Sequence, residues 1–283
     1  MSLHIDSSGN GAPLVMLHGW GMHGGIWGNA VADLAQQYRV HCVDLPGHGY
    51  SSPLPSPFGR GERGEGKLLN APLSLTLSHR ERGWKLDALI DQLSLEFKEA
   101  VTVCGWSLGG LIALRWAQRQ PQQVSRLVLV ATTPCFVRRP GWDCAMSADV
   151  LQNFAASLQE NYALTLRRFV GLQMRGSEHE RGLLADVREH LFGRGKPDAM
   201  ALAAGLEILR DTDLRAALPQ IRQPVLVISG ERDTLTPPAA SAYLAATLPD
   251  ARAREIKGAA HMPFLSHPEI FVQYLTEFQH ERI

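Results

Sequence analysis

The sequence has little that would commit it to a metal cluster, a membrane or a nucleic acid. Only four cysteines occur in 283 residues, Cys42, Cys104, Cys135 and Cys144. No two of them form a C-x-x-C pair, which argues against a zinc ribbon or a dithiol redox centre, and three lie in apolar or mixed runs typical of buried free thiols. Nowhere do eighteen apolar residues run without interruption, so no membrane-crossing helix is expected. An excess of charge is missing as well: 28 Lys and Arg balance 28 Asp and Glu. No global field therefore draws the chain to nucleic acid or to a lipid surface, and a charged partner would have to be met by a local patch. The opening MSLHIDSSGNGAP lacks the basic region and following apolar stretch of a secretory signal. These absences predict a reduced, cytoplasmic protein, a monomer that needs no metal and no organic cofactor.

What is present is an ordinary globular composition, 45% apolar and 20% charged, in a length that suits one α/β core with an appended substructure. Short apolar runs bounded by glycine or proline recur at Leu14–Leu17, Val40–Val43, Val101–Cys104, Leu127–Val130 and Val225–Ile228. Several lack alternation, as strands covered on both faces do. Between them lie helical patterns such as Leu108–Gln118, stopped by Pro121. The expectation is an α/β fold with a mostly parallel central sheet and helices on both faces. Residues 135–218 break the alternation with helical stretches and no convincing strand, and read as a helical cap inserted between core segments 1–134 and 219–283. A second insertion is expected at 51–83, where GRGERG and SHRERG echo one another in a stretch rich in proline, glycine, arginine and glutamate. It resembles a translated palindromic DNA element and is expected to be a mobile surface excursion without catalytic role; a basic docking loop is the competing reading.

The strongest local signal is Gly105-Trp106-Ser107-Leu108-Gly109-Gly110, a G-x-S-x-G string between an apolar strand and a helical run. Small flanking residues permit a sharp turn that lifts Ser107 above the sheet, so Ser107 is the expected nucleophile. The helix N-terminus behind it favours an oxyanion, with the N–H of Leu108 as one donor. A second donor is expected from the amide of Trp20 in the loop Leu17-His18-Gly19-Trp20-Gly21, with His18 bonding that loop rather than reacting. Acid and histidine should follow in chain order. Asp233, just past the strand at Val225, is preferred over Glu231 as the acid, and His261, after an expected edge strand and a small-residue turn, over His267 as the base.

LHGWGMHGGIW, VDLPGHGYS, GWSLGG, TTPCF, GLEILRDTDLR and GAAHMPFLSHP together resemble the pimeloyl-acyl carrier protein methyl ester esterases of biotin synthesis, members of the α/β-hydrolase superfamily, over nearly the whole chain outside 51–83. The resemblance implies a serine carboxylesterase with the triad Ser107, Asp233 and His261, oxyanion donors at Trp20 and Leu108, an acyl channel lined by Trp20 and Phe169, and an acyl carrier protein held by basic cap residues. Arg168 and Arg181 match that basic pattern, and Arg167, Arg175 and Arg188 lie close in sequence. Leu164 and Ala185 stand where basic residues occur in a relative, which alters the docking pattern. The residues leave open a broad esterase or lactonase for small esters, the haloperoxidase and carbon–carbon hydrolase chemistries that share a serine triad, and a non-catalytic binding protein on the same scaffold.

Overall fold

A computed structural model describes residues 2–53, 85–178, 180–191 and 193–281. The expected insertion at 51–83 lies, from residue 54 onward, outside the described residues. Seven strands, β1 (His4–Ser8), β2 (Ala12–Leu17), β3 (Tyr38–Asp44), β4 (Val101–Trp106), β5 (Val124–Val130), β6 (Val225–Gly230) and β7 (Ala251–Ile256), form one sheet in the order β1-β3-β2-β4-β5-β6-β7. Only β1 pairs antiparallel with its neighbour; the other pairings are parallel. Every residue of β4 and β6 is buried, which is why these strands read as unbroken apolar runs. β1 escaped the sequence reading for the opposite reason. Its residues HIDSS are exposed or half-buried, and an edge strand with one apolar residue, Ile5, leaves no apolar periodicity to detect.

Helices α1 (Ala30–Leu34), α2 (Leu86–Glu96) and α3 (Leu108–Arg119) fall between the first strands. Four more, α4 (Ala148–Glu160), α5 (Tyr162–Met174), α6 (Glu180–His190) and α7 (Ala199–Asp211), lie between β5 and β6; α8 (Pro238–Thr247) joins β6 to β7, and α9 (Pro263–Ser266) and α10 (Pro268–His280) follow β7. Among the described residues, 135–218 hold helices and isolated bridges but no strand. Local chemistry sets several of these starts. The side chains of Ser147, Asn161 and Asp198 accept hydrogen bonds from the N–H groups of Val150, Leu164 and Ala201, which satisfies first-turn donors that have no partner inside a helix. No described helix is long and apolar enough to cross a membrane. Cys42, Cys104 and Cys135 are buried, Cys144 is half-buried, and all four are free thiols.

The core joins α3 to the sheet so closely that side chains are excluded at the contact. A Cβ on Gly109 would stand 2.1 Å from the Leu17 carbonyl oxygen, and one on Gly105 would stand 2.3 Å from the Gly109 carbonyl oxygen. Gly182 in α6 meets nothing within 4 Å. Gly109→Ala is therefore expected to lose about 1–3 kcal/mol of stability through overpacking, whereas Gly182→Ala should gain about 0.5–1 kcal/mol from reduced backbone entropy. Urea unfolding of the two variants checks both signs.

Candidate active site

Ser107 joins β4 to α3 with φ 54° and ψ −116°. Among the described residues only Ser107 and Ala131 (φ 43°) combine a side chain with positive φ. Such a conformation costs on the order of 1–3 kcal/mol and persists only where its surroundings fix it. Here they do. The Ser107 N–H donates to the Val130 carbonyl at 3.0 Å, and the Ser107 carbonyl accepts from the Thr132 hydroxyl at 2.7 Å and from the Gly110 and Leu111 N–H groups. The glycines at 105, 109 and 110 leave room for this knot, since a Cβ on Gly110 would meet the Thr132 Cβ at 2.6 Å. Leu108, the first residue of α3, has an N–H with no intrahelical acceptor.

His261 and Asp233 come together from separate loops. Asp233 lies three residues beyond β6 and is almost fully buried. Its Oδ1 accepts from the N–H groups of Leu235 at 2.9 Å and Thr236 at 3.0 Å. Its Oδ2 accepts from the Thr236 hydroxyl at 2.6 Å and from His261 Nδ1 at 2.8 Å. Burial alone would raise the carboxyl pKa, but the His261 ring and the Thr236 bonds outweigh it and hold Asp233 below its ordinary value. With Nδ1 committed to Asp233, Nε2 is the imidazole nitrogen left for a substrate or for Ser107. The His261 backbone is fixed at both ends: its N–H donates to the Gln173 carbonyl at 3.0 Å, and its carbonyl accepts from the Trp106 indole at 2.8 Å. The two rivals lie elsewhere. Glu231 binds Lys257 and the Gly258 N–H, and His267 bonds Ser266.

Ser107 and His261 line one cavity with Trp20, Phe136, Met146, Val150, Leu151, Phe154, Phe169, Leu172, Leu206, Leu209 and Leu235. Trp20 and Phe169 stand edge to face at 5.3 Å, and Phe154 completes the aromatic cluster. The Trp20 indole donates to the Leu202 carbonyl of α7, so a core loop and the inserted helices build this wall together. His18 is a strut for the same loop: Nδ1 bonds the Gly19 carbonyl at 2.8 Å, and Nε2 accepts the Leu45 N–H at 2.9 Å. Burial drives its pKa well down, which keeps Nε2 free to accept.

Two basic residues named from sequence, Arg168 on α5 and Arg181 on α6, are exposed, and among the described residues neither has a salt bridge. Arg168 lies one helical turn before the exposed cavity residue Leu172. Thr236, Trp106 and Phe154 were missed from sequence. Thr236 had a usable signal, because a threonine three residues after an aspartate in a turn is placed to bond back to it. The two aromatics had no such local signal.

A catalytic-looking serine at a strained strand-to-helix turn, above a parallel sheet with a buried Asp–His pair, defines a class. The chain belongs to the alpha/beta hydrolase fold family, whose profile matches residues 12–268. The fold is shared by an esterase from Exiguobacterium antarcticum, 21% identical over 99% of this chain and 96% of that one with a TM-score of 0.79, and by a bromoperoxidase from Bacillus anthracis, 18% identical over 99% and 95% with a TM-score of 0.81. Within this class the chain is a member of the pimeloyl-acyl carrier protein methyl ester esterase family. The enzyme of that name from Nitrosomonas europaea is 42% identical over 275 residues, covering 96% of this chain and 97% of the relative, and the one from Chromobacterium violaceum is 40% identical over 98% of each.

Thr236→Val removes a hydroxyl from a buried carboxylate, and a loss of about 1–3 kcal/mol is expected near neutral pH. Because the folded protein holds Asp233 below its ordinary pKa, the stability Asp233 contributes is complete above that ordinary value and is lost as pH falls through the folded one. The variant raises the folded value, so the acid-dependent loss, which begins near the ordinary value in both proteins, should be smaller and should end at a higher pH than in the parent. Urea unfolding across a pH series from neutral to acid checks the direction.

Proposed function

We propose that the protein is a serine carboxylesterase that hydrolyses the methyl ester of pimeloyl-acyl carrier protein, the reaction that fits a role in biotin synthesis. Ser107 is the nucleophile, His261 the general base and Asp233 the carboxylate that orients and charge-balances the imidazole. His261 Nε2 takes the Ser107 hydroxyl proton as Oγ adds to the ester carbonyl, and the N–H groups of Trp20 and Leu108 receive the negative charge on the carbonyl oxygen. Collapse expels methanol, which leaves with the proton from His261. Water then attacks the acyl-serine with the same base, releasing the free carboxylate and restoring Ser107. The observation that carries this reading is the strained Ser107 facing one apolar cavity with His261, whose Nδ1 is already bonded to buried Asp233 at 2.8 Å.

The lining supports a straight methylene chain as the acyl group. Each methylene moved from water into such a wall contributes about 0.8 kcal/mol. The cavity rim supports a protein-borne substrate. Val150 and Leu172, 57% and 45% exposed, flank the opening, and Leu164, Arg168 and Leu172 share one face of α5 at four-residue spacing. An apolar rim beside the exposed guanidinium groups of Arg168 and Arg181 suits an acidic carrier protein whose tethered acyl arm enters the cavity. On this reading residues 135–218 act as a cap that supplies both the acyl wall and the docking face, and the enzyme works in the cytoplasm, the compartment of a soluble carrier-protein substrate.

Ser107→Ala should abolish hydrolysis of both the carrier-linked methyl ester and a short nitrophenyl ester, and should end labelling by a fluorophosphonate. Arg168→Glu with Arg181→Glu should raise KM for the carrier-linked ester by about tenfold, as two lost charge contacts would, while leaving the nitrophenyl ester unaffected. Steady-state kinetics on the two substrates checks this. Equal turnover of both by the parent, together with no effect of the double substitution, would instead identify a broad small-ester hydrolase.

A further inference from the structure

The end of α5 and the turn that follows it are hydrogen-bonded to the loop that carries His261, and Arg232 joins both. Three backbone hydrogen bonds and one side-chain bond form the seam. The Gln173 carbonyl accepts the His261 N–H at 3.0 Å, and the Glu178 N–H donates to the Gly258 carbonyl at 2.9 Å. Arg232, the residue before Asp233, closes the seam from the core side. Its backbone N–H donates to the Ala259 carbonyl at 2.8 Å, and its guanidinium donates to the Gly176 carbonyl at 2.9 Å and stands 3.7 Å from the Glu178 carboxylate.

The backbone is shaped for this contact on both sides. Gly258 has φ +73°, and a Cβ there would stand 2.4 Å from Glu178 Oε1; Gly176 has φ +82°, which exposes its carbonyl to Arg232. Gln173 itself is buried, with its side-chain Oε1 lacking a hydrogen-bond partner. Its backbone carbonyl is therefore the group through which it is fixed to the loop.

From this arrangement we infer that the Gln173–Glu178 turn, clamped by Arg232, is a positioning element for the His261 ring. The inference rests on the proposed role of His261 as base. The imidazole is bonded to Asp233 at Nδ1, but the placement of the ring in the cavity it shares with Ser107 follows the loop 258–261, and that loop is pinned from one side by the Trp106 indole and from the other by this turn. Releasing one side lets the loop drift by fractions of an ångström, enough to lengthen the proton-transfer path without unfolding anything. Arg232 is the part of the seam that can be altered cleanly, since its side chain is half-exposed and takes no part in the cavity. It also ties the loops of Asp233 and His261 to a turn that carries exposed Arg175 and precedes α6.

The test uses a short free ester that has no need of a docking face. Arg232→Ala is expected to lower kcat about tenfold with KM changed less than twofold, to slow fluorophosphonate labelling of Ser107 in proportion, and to leave the thermal midpoint nearly unchanged. Arg232→Lys, which can still donate to the Gly176 carbonyl, should recover most of the rate. An unchanged kcat in Arg232→Ala overturns the inference, as does a fall in kcat that tracks a fall in thermal midpoint and is not recovered by lysine. Failure of the parent enzyme to turn over any ester would instead sink the proposed function.

Discussion

The backbone of Ser107 is the constraint on which the rest of the molecule depends. A side-chain-bearing residue at φ 54° is held there by bonds from β5, from Thr132 and from the first turn of α3. Those bonds in turn require glycine at three positions where a Cβ would collide with backbone or with Thr132. The strain is stored locally and offset by the packing of α3 against a sheet whose central strand β4 is entirely buried. The return is a serine that lines the cavity at the N-terminus of a helix, where the macrodipole and free N–H groups favour negative charge.

Around that turn, the cavity belongs to neither layer alone. The sheet supplies Ser107 and the loops with Trp20, Leu235 and His261; the helices between β5 and β6 supply Val150, Leu151, Phe154, Phe169, Leu206 and Leu209. Several struts fix one to the other. The Trp20 indole reaches Leu202, the Asp198 N–H donates to the Gly47 carbonyl at 2.7 Å, and Arg194 sits between Asp6 at 2.5 Å and buried Asp44 at 3.3 Å. Asp44 also accepts from the Gly24 and Tyr50 N–H groups, so one carboxylate joins the His18 to Gly24 loop, the loop after β3 and the inserted segment. A buried charge is tolerated there because it is both paired and hydrogen-bonded.

The buried titratable groups of the site divide by environment. Asp233 is surrounded by donors and stays ionised. His18 and His48 are fully buried with mainly backbone partners, and burial pushes both down, His48 to about 4. They are neutral struts at ordinary pH.

By itself the sequence determined the class of fold, the serine turn and the order in which acid and histidine follow it. Parallel strands buried on both faces leave unbroken apolar runs, and a nucleophile turn needs glycines at fixed offsets, so both write themselves into local sequence. It also preferred Asp233 over Glu231 for the Thr234, Leu235 and Pro237 run that follows it, and His261 over His267, which directly precedes Pro268; in the structure Asp233 and His261 are bonded to each other. Tertiary structure alone decided what converges from a distance. β1 is visible only through its pairing with β3, because backbone hydrogen bonds carry no residue signature. Trp106 under the histidine, Phe154 in the cavity and Arg232 against the turn after α5 act through contacts between segments far apart in the chain. No local pattern records those contacts, because the same tryptophan, phenylalanine or arginine would serve equally well as core or surface elsewhere.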